Sequence, residues 1–260
     1  MFWRVLLGVM LPFIGTMLGA ATVFLFKKEI DSKVRKILIG FAAGVMIAAS
    51  IWSLILPAAE LAVENGQAEW LPPAIGFTFG MLFLLCLDTF IPHQHFTCDK
   101  AEGCSSTLGR SKLLFMSVTL HNIPEGMAVG AVFAGLLASG VEIGLTAAFS
   151  LSVGIALQNF PEGAIISLPI ATDGKSKKRA FLFGSCSGIV EPIAAGLTIL
   201  FSALILPVLP YLLAFAAGAM IYVVVEELIP ESQDGEHSNV ATVGVMLGFV
   251  LMMILDMALG

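Results

Sequence analysis

The chain has 260 residues, of which 58% are hydrophobic and 12% are charged, with a formal net charge of -6 at pH 7 and a mean hydropathy of +0.96. Because soluble globular domains carry about 25% charged residues, this composition excludes an ordinary soluble enzyme, a disordered chain and a secreted disulfide scaffold. The negative charge and the lack of an extended basic face also argue against a nucleic-acid partner, which leaves a polytopic membrane protein.

Eight apolar stretches are each long enough to cross a bilayer as a helix, which takes roughly 20 residues. Helices satisfy their own backbone in lipid, and the alternation of a membrane β-barrel, in segments of ~10 residues, is not seen. The first stretch exceeds the roughly 7–15 apolar residues of a signal peptide, so it is predicted to be a retained helix. We predict an all-α integral membrane protein with one transmembrane domain, residues 1–260. The predicted spans are Val5–Phe26, Ile37–Ala59, Leu71–Ile91, Leu113–Ala138, Ile143–Ile170, Ala180–Leu206, Leu209–Leu228 and Val240–Met257.

The basic residues predict the orientation of these spans. Of the 13 Lys and Arg residues, all but Arg4 lie in the loops after spans one, three and five. The positive-inside rule places these loops, including loop 92–112 between spans three and four, in the cytoplasm. Both termini then lie outside, and we expect a bacterial inner-membrane protein. The twelve residues are Lys27, Lys28, Lys33, Arg35, Lys36, Lys100, Arg110, Lys112, Lys175, Lys177, Lys178 and Arg179.

Three glutamates, Glu125, Glu162 and Glu191, lie well inside predicted spans. An ionised side chain at the bilayer centre costs at least ~2.5–3.5 kcal/mol, and no Lys or Arg lies within a predicted membrane core to neutralise one. These carboxylates are therefore protonated, exposed to a water-filled cavity, or neutralised by a bound cation. Protonated glutamates could simply hydrogen-bond helices together or relay protons. Glutamates that face a water-filled cavity or bind a cation would instead indicate that the protein handles ions.

Spans four and five carry the same polar motif, Asn-x-Pro-Glu-Gly, as HNIPEG at residues 121–126 and QNFPEG at residues 158–163. Because consecutive spans are antiparallel, the repetition suggests two halves of one site related by a pseudo-twofold axis in the membrane plane. In each motif the proline frees a backbone carbonyl one turn earlier, and the following glycine allows another helix to approach closely.

The spacing within the motifs predicts a site for a divalent transition metal. His121 and Glu125 are four residues apart and share a helix face, as do Gln158 and Glu162. Imidazole and carboxylate groups together suit zinc and neighbouring ions. Span six adds Glu191, a third carboxylate, immediately before a proline.

At these motifs the sequence resembles the ZIP (Zrt/Irt-like) divalent-metal transporters, and most closely their bacterial GufA-like branch. The resemblance implies a three–two–three arrangement, in which spans one to three and six to eight form inverted repeats around spans four and five. It also implies a homodimer that moves metal into the cytoplasm by an elevator-like or rocking motion. It further implies a binuclear mid-membrane site. The first metal would be held by His121, Glu125, Gln158 and Glu162, and the second by Asn122, Asn159 and Glu191, with Glu125 and Glu162 able to bridge.

The sequence departs from the family pattern at two predicted ligands. Many members carry a histidine where Gln158 stands and an acidic residue where Asn159 stands. Neutral amides are weaker zinc ligands, so the second site is expected to have low affinity or a broader metal preference.

The resemblance also suggests a route by which metal leaves the site towards the cytoplasm. It would run past polar residues at the ends of spans three and seven and in the third loop, although these residues are equally consistent with a solvated connection. The candidate exit residues are Asp88, His93, His95, Glu226 and Glu227.

We therefore predict a transporter of divalent transition metals, zinc first, with Fe²⁺, Mn²⁺, Co²⁺ and Cd²⁺ as further candidate ions. No cofactor and no enzymatic activity are expected. Two alternatives remain from the residues alone. An intramembrane zinc metalloenzyme lacks its usual His-Glu-x-x-His string, yet His121 and two glutamates could supply three ligands. A proton-conducting carrier would explain the carboxylates but not the shared face of His121 and Glu125.

Overall fold

The computed structural model describes residues 1–25, 31–94, 103–105, 107–138, 144–172, 175–235 and 238–259. Six helical segments in these ranges are long and apolar enough to cross a membrane, as judged by length and composition. They are α1 (Phe2–Leu25), α2 (Ser32–Glu64), α3 (Leu71–Phe90), α6 (Lys177–Leu200), α7 (Ser202–Gln233) and α8 (Val240–Leu259).

Two further helices, α4 (Arg110–Leu137) and α5 (Leu145–Thr172), are 28 residues long each. They carry the two Asn-x-Pro-Glu-Gly motifs, whose polar residues lower the hydropathy of the middle of each helix. The all-α membrane class is thus confirmed, and the described residues contain a long helical segment for each of the eight predicted stretches.

The predicted boundary between spans six and seven was wrong. Span six was expected to continue to Leu206, but α6 ends at Leu200, where Phe201 closes the helix as a non-helical cap. The apolar residues that follow begin α7, which passes through a short 3₁₀ turn at Leu206–Val208. Hydropathy alone cannot separate two consecutive helices when the turn between them is also apolar.

The eight segments pack mainly as four pairs: α1 with α5, α4 with α6, α2 with α8, and α3 with α7. Glycines allow the backbones in each pair to touch. A Cβ atom added at Gly19 would collide with the Phe160 carbonyl, and one added at Gly44 would collide with that of Val245. Other glycines make equivalent contacts in the remaining pairs or in the reverse direction, among them Gly80, Gly126, Gly163 and Gly248.

Helices α2 and α7 share an internal sequence repeat that the structure makes visible. Residues 41–47 read FAAGVMI, and residues 215–221 read FAAGAMI. Each repeat is followed by a π-helical segment, Ser50–Ile55 in α2 and Val224–Leu228 in α7, and then by a proline. Both helices therefore carry the same local distortion at the same spacing after the repeat. π-helical segments are rare and frequently occur at functional sites.

The glycine contacts lead to a stability prediction with an internal control. Gly44→Ala should lower the free energy of unfolding by about 1–3 kcal/mol, because the new methyl group meets the Val245 backbone. Gly196→Ala should be neutral or slightly stabilising, because nothing lies within 4 Å of its added Cβ. Both glycines are helical, so the gain in helix propensity is similar. Thermal unfolding of the purified variants in detergent measures the difference, and equal melting temperatures would contradict this packing.

Candidate metal centre

The two motifs face each other at the centre of the molecule. Nε2 of Gln158 in α5 donates a hydrogen bond to Oε1 of Glu125 in α4 at 2.6 Å. Both side chains are completely buried. The repeated motifs thus meet, in accordance with the sequence prediction. The following glycines also do what was predicted: Gly126 lies against the backbone of Glu191, and Gly163 against that of Thr16.

Glu191, on α6, lies beside the two motifs and contributes a third carboxylate. It is completely buried, and its Oε1 accepts a hydrogen bond from Oγ1 of Thr16 in α1 at 3.2 Å. The amide of Asn159 lies close to the carboxylates of both Glu125 and Glu191, without a hydrogen bond of good geometry to either. Four helices therefore contribute side chains to one buried polar cluster.

Two of the three amide side chains in this cluster, those of Asn122 and Gln158, are oriented with their oxygen atoms free, whereas both polar atoms of Asn159 lack a hydrogen-bond partner. Nδ2 of Asn122 donates to the backbone carbonyl of Ser187 at 3.1 Å, and Nε2 of Gln158 donates to Glu125. The Oδ1 of Asn122 and the Oε1 of Gln158 are buried and have no hydrogen-bond partner. Each of these two amides donates an N–H group to another protein atom and keeps its oxygen unpaired. That oxygen can therefore bind a cation.

Six of the seven predicted ligands carry a buried oxygen atom without a hydrogen-bond partner. Native proteins seldom leave buried polar atoms unpaired, and unpaired atoms cost free energy because they have lost their water. Six such oxygen atoms at one place could together accept contacts from a bound cation. The atoms are Oδ1 of Asn122, Oε2 of Glu125, Oε1 of Gln158, Oδ1 of Asn159, Oε2 of Glu162 and Oε2 of Glu191.

The seventh predicted ligand, His121, pairs with a residue from α7. Its Nδ1 lies 2.8 Å from Oε2 of Glu227, and Oε1 of Glu227 accepts a hydrogen bond from Oγ of Ser117 at 3.3 Å. Glu227 is buried, whereas Glu226 is exposed. The sequence grouped these two glutamates as exit residues, but they face different environments, as consecutive residues of a helix do, and Glu227 is the one that contacts His121.

A cavity of about 30 Å³ lies beside His121 and Glu162. It has room for about one water molecule, and Glu227 and Glu231 also line it. Glu162 interacts electrostatically with Glu125, Glu227 and Glu231. Across the described part of the chain, no three His, Cys, Asp or Glu side chains converge tightly enough to hold a metal ion in this conformation. The predicted ligands are close neighbours, but binding would require them to move inward.

The remaining exit candidates form a separate pair. His93 is buried, with its Nε2 3.7 Å from Oδ1 of Asp88 and its Nδ1 2.9 Å from the carbonyl of Ile91. His95 lies outside the described residues. A role for these residues in metal release stays a prediction.

Sequence reasoning missed two buried carboxylates. Asp256 in α8 accepts hydrogen bonds from Ser53 at 2.7 Å and from Ser150 at 2.9 Å, and its Oδ2 has no hydrogen-bond partner. Glu231 in α7 is buried and lines the same cavity as Glu162. Asp256 could have been flagged as a carboxylate inside the eighth predicted span, and Glu231 as the residue one helical turn beyond Glu227.

Comparisons with known proteins show which family the chain is similar to. The family model described as "ZIP Zinc transporter" matches residues 92–256. The chain is 39% identical to zinc transporter GufA of Myxococcus xanthus, with 95% of each chain covered. It is 35% identical to zinc transporter ZIP11 of Bos taurus, over 99% of this chain and 97% of the relative. It is also 39% identical to zinc transporter ZIPB of Bordetella bronchiseptica, over 98% of this chain and 81% of the relative.

Proposed function

Because the chain belongs to the ZIP family of zinc transporters, we propose that it carries divalent transition metals, zinc first, through the polar cluster between α4, α5 and α6. The resemblance to this family and to its GufA-like branch is confirmed. The protein is accordingly a membrane transporter and not an enzyme. The intramembrane metalloenzyme is therefore no longer a candidate.

One observation supports this site above all others: the six buried oxygen atoms without partners on Asn122, Glu125, Gln158, Asn159, Glu162 and Glu191. Three of these residues are carboxylates, and no Lys or Arg side chain is among the buried members of the cluster. A divalent cation would satisfy the oxygens and neutralise the carboxylates together. A set of glutamates that only joined helices would pair its oxygens with hydrogen-bond donors instead.

We propose a binuclear site within this cluster. His121, Glu125, Gln158 and Glu162 would hold the first ion, and the imidazole would favour zinc. Asn122, Asn159 and Glu191 would hold the second, with Glu125 and Glu162 as bridges. Since oxygen ligands suit manganese and other harder ions as well, the second site would accept a broader range that includes Fe²⁺, Mn²⁺, Co²⁺ and Cd²⁺.

The helix pairing supports an inverted-repeat architecture with eight spans. In such an architecture α1, α2 and α3 correspond to α6, α7 and α8, and α4 corresponds to α5. This correspondence converts the pair α1–α5 into α6–α4 and the pair α2–α8 into α7–α3. All four pairs occur, and the FAAG repeats with their π-helical segments fall in the corresponding helices α2 and α7. We propose this three–two–three arrangement, in a homodimer, with both termini outside a bacterial inner membrane.

The path of the metal would follow the buried carboxylates. Asp256, held by Ser53 and Ser150, would lie on the outer side of the cluster. Glu227 and Glu231 would receive the ion on the inner side, at the cavity beside His121. Asp88, His93, His95 and Glu226 would follow at the cytoplasmic end, near loop 92–112.

If this site binds metal, added zinc should stabilise the folded protein. Free zinc at 100 times its dissociation constant should stabilise the protein by about 2.7 kcal/mol, a rise in melting temperature of roughly 5–10 °C for a chain of this size. A double variant, Glu125→Gln with Glu191→Gln, should lose this rise, and Glu60→Gln, which changes an exposed carboxylate near the end of α2, should retain it. Thermal unfolding in detergent with and without zinc provides the measurement.

The same experiment separates metal transport from proton conduction. A proton-conducting carrier would gain no stability from zinc or from the other candidate ions. An equal rise in the wild type and the double variant would mean that zinc binds elsewhere on the protein.

A further inference from the structure

The hydroxyl of Thr16 in α1 holds one oxygen of the Glu191 carboxylate. Oγ1 of Thr16 donates a hydrogen bond to Oε1 of Glu191 at 3.2 Å, and both side chains are completely buried. The hydroxyl also lies 3.4 Å from the carbonyl of Pro12, one turn earlier in α1, so the carboxylate is the nearer of these two acceptors. Because Oε2 of Glu191 has no hydrogen-bond partner, one oxygen of this carboxylate is occupied and the other is available.

The glycines of the two motifs fix the backbone on both sides of this hydrogen bond. Gly163 of the α5 motif lies against the carbonyl of Thr16, and Gly126 of the α4 motif lies against the carbonyl of Glu191. A Cβ atom added at either glycine would collide with that backbone. The hydroxyl and the carboxylate are therefore held together by the same motifs that carry the proposed metal ligands.

A break in α6 makes room for this pair. The helix is interrupted at Gly188, three residues before Glu191. A Cβ atom added at Gly188 would lie 2.7 Å from Oγ1 of Thr16 and 2.9 Å from Oε1 of Glu191, so a larger residue would displace both groups. The carbonyl of Ser187, at the same break, accepts the hydrogen bond from Asn122. The break thus serves two of the three ligands proposed for the second metal ion.

A second threonine of α1 shows that this arrangement is not the only one open to a buried hydroxyl. Oγ1 of Thr22 donates to the carbonyl of Gly19 at 2.7 Å, within its own helix. Such local hydrogen bonds are the usual way in which a helical threonine is satisfied. Thr16 instead reaches a carboxylate on another helix, which gives its hydroxyl an effect on the polar cluster that Thr22 lacks.

We propose that Thr16 is a positioning residue for the second metal ion, an inference that rests on the transport site proposed above. By holding Oε1, its hydroxyl fixes the plane of the Glu191 carboxylate and presents Oε2 to the ion as a single-oxygen ligand. Thr16 itself does not bind the metal. Groups that orient a metal ligand through a hydrogen bond contribute about 10–100-fold in metal affinity, and here that contribution falls on the position that Glu191 occupies.

Manganese binding measures this contribution, because the oxygen ligands of the second position suit Mn²⁺, whereas the imidazole of His121 favours zinc at the first. Electron paramagnetic resonance reports free Mn²⁺ during titration of the purified protein in detergent. Thr16→Val removes the hydroxyl but keeps the branched shape, and should weaken Mn²⁺ binding by about 10–100-fold. Thr16→Ser keeps the hydroxyl and should bind Mn²⁺ like the wild type. Thr22→Val makes the same change at another buried threonine of α1 and should leave the affinity unchanged.

Two further comparisons separate positioning from a general effect on the fold. The tighter zinc-binding step should be unchanged in Thr16→Val, which would also show that this variant is folded. In a Glu191→Gln background, Thr16→Val should cause no additional loss of Mn²⁺ affinity, because its effect passes through the Glu191 carboxylate.

Three results would overturn the proposal. Thr16→Val could bind Mn²⁺ as tightly as Thr22→Val does. Thr16→Ser could lose as much affinity as Thr16→Val, which would mean that the hydroxyl is not responsible. Thr16→Val could also weaken binding to the same extent with and without the Glu191 carboxylate. Failure of the proposed transport site would give a different result, since Glu191→Gln alone would then bind Mn²⁺ like the wild type.

Discussion

Replacing Glu125 or Glu162 by alanine is expected to abolish zinc flux while leaving a folded protein. Each carboxylate belongs to the first proposed metal position, each could bridge to the second, and each carries a buried oxygen without a hydrogen-bond partner. Removing either one takes a negatively charged ligand from both ions. Zinc uptake should fall to the background of empty vesicles, and Glu60→Ala, which changes an exposed carboxylate, should transport like the wild type.

The glutamine variants separate ligand loss from damage to the fold. Glu125→Ala leaves the amide of Gln158 without its acceptor, which costs about 1–3 kcal/mol. Glu125→Gln keeps the volume and an acceptor oxygen, so its stability should stay close to that of the wild type, yet its flux should also be lost because the charge is gone. Normal transport by either alanine variant would show that these residues are not the metal ligands.

His121→Ala should produce the next largest loss, a fall in zinc affinity of more than 100-fold. The imidazole is the only nitrogen ligand in the proposed site, and it distinguishes zinc from harder ions. Its Nδ1 is held by Glu227 at 2.8 Å, which leaves Nε2 for the metal. Carboxylates that orient a ligating histidine in this way contribute about 10–100-fold in metal affinity, so Glu227→Gln should have an intermediate effect.

Zinc titration of the purified variants measures this ordering. Glu226→Gln is the matched control, because Glu226 precedes Glu227 in the same π-helical segment but is exposed. Its zinc affinity at the mid-membrane site should equal that of the wild type. If Glu226→Gln and Glu227→Gln weakened zinc binding to the same degree, the contact between Glu227 and His121 would not be orienting the imidazole.

Much of the site could be predicted because it is encoded locally. The pairs His121–Glu125 and Gln158–Glu162 lie one helical turn apart, so their shared faces follow from helix geometry. Their repetition in consecutive spans was enough to predict that the two motifs meet, and the Gln158–Glu125 hydrogen bond confirms that they do. The apolar runs likewise gave the helices, because burial in lipid demands them.

The parts that could not be predicted depend on contacts between distant helices. Thr16 reaches Glu191 across 175 residues of sequence, and Ser53 reaches Asp256 across 203. No local pattern encodes such pairings without knowledge of which helices are neighbours. The placement of Glu227 had a further cause, since the π-helical segment changes the direction in which α7 presents its side chains. The FAAG repeat was present in the sequence and would have shown that α2 and α7 correspond.

The arrangement of hydrogen bonds also bears on how the site binds metal. Asn122 and Gln158 use their N–H groups within the protein, so their oxygens already face the cluster. No three charged or imidazole ligands in the described ranges converge on one point. We therefore expect metal to draw the carboxylates together around amide oxygens that stay in place, with the helix pairs moving as units.

Zinc entry into sealed proteoliposomes that contain a zinc-sensitive dye tests the central claim most directly. The wild type is compared with the double variant His121→Ala and Glu125→Ala, reconstituted at equal protein density. Fast entry in the wild type that the double variant loses is the predicted result. Equal entry in both, or zinc that binds to the wild type without crossing, would contradict transport through this site.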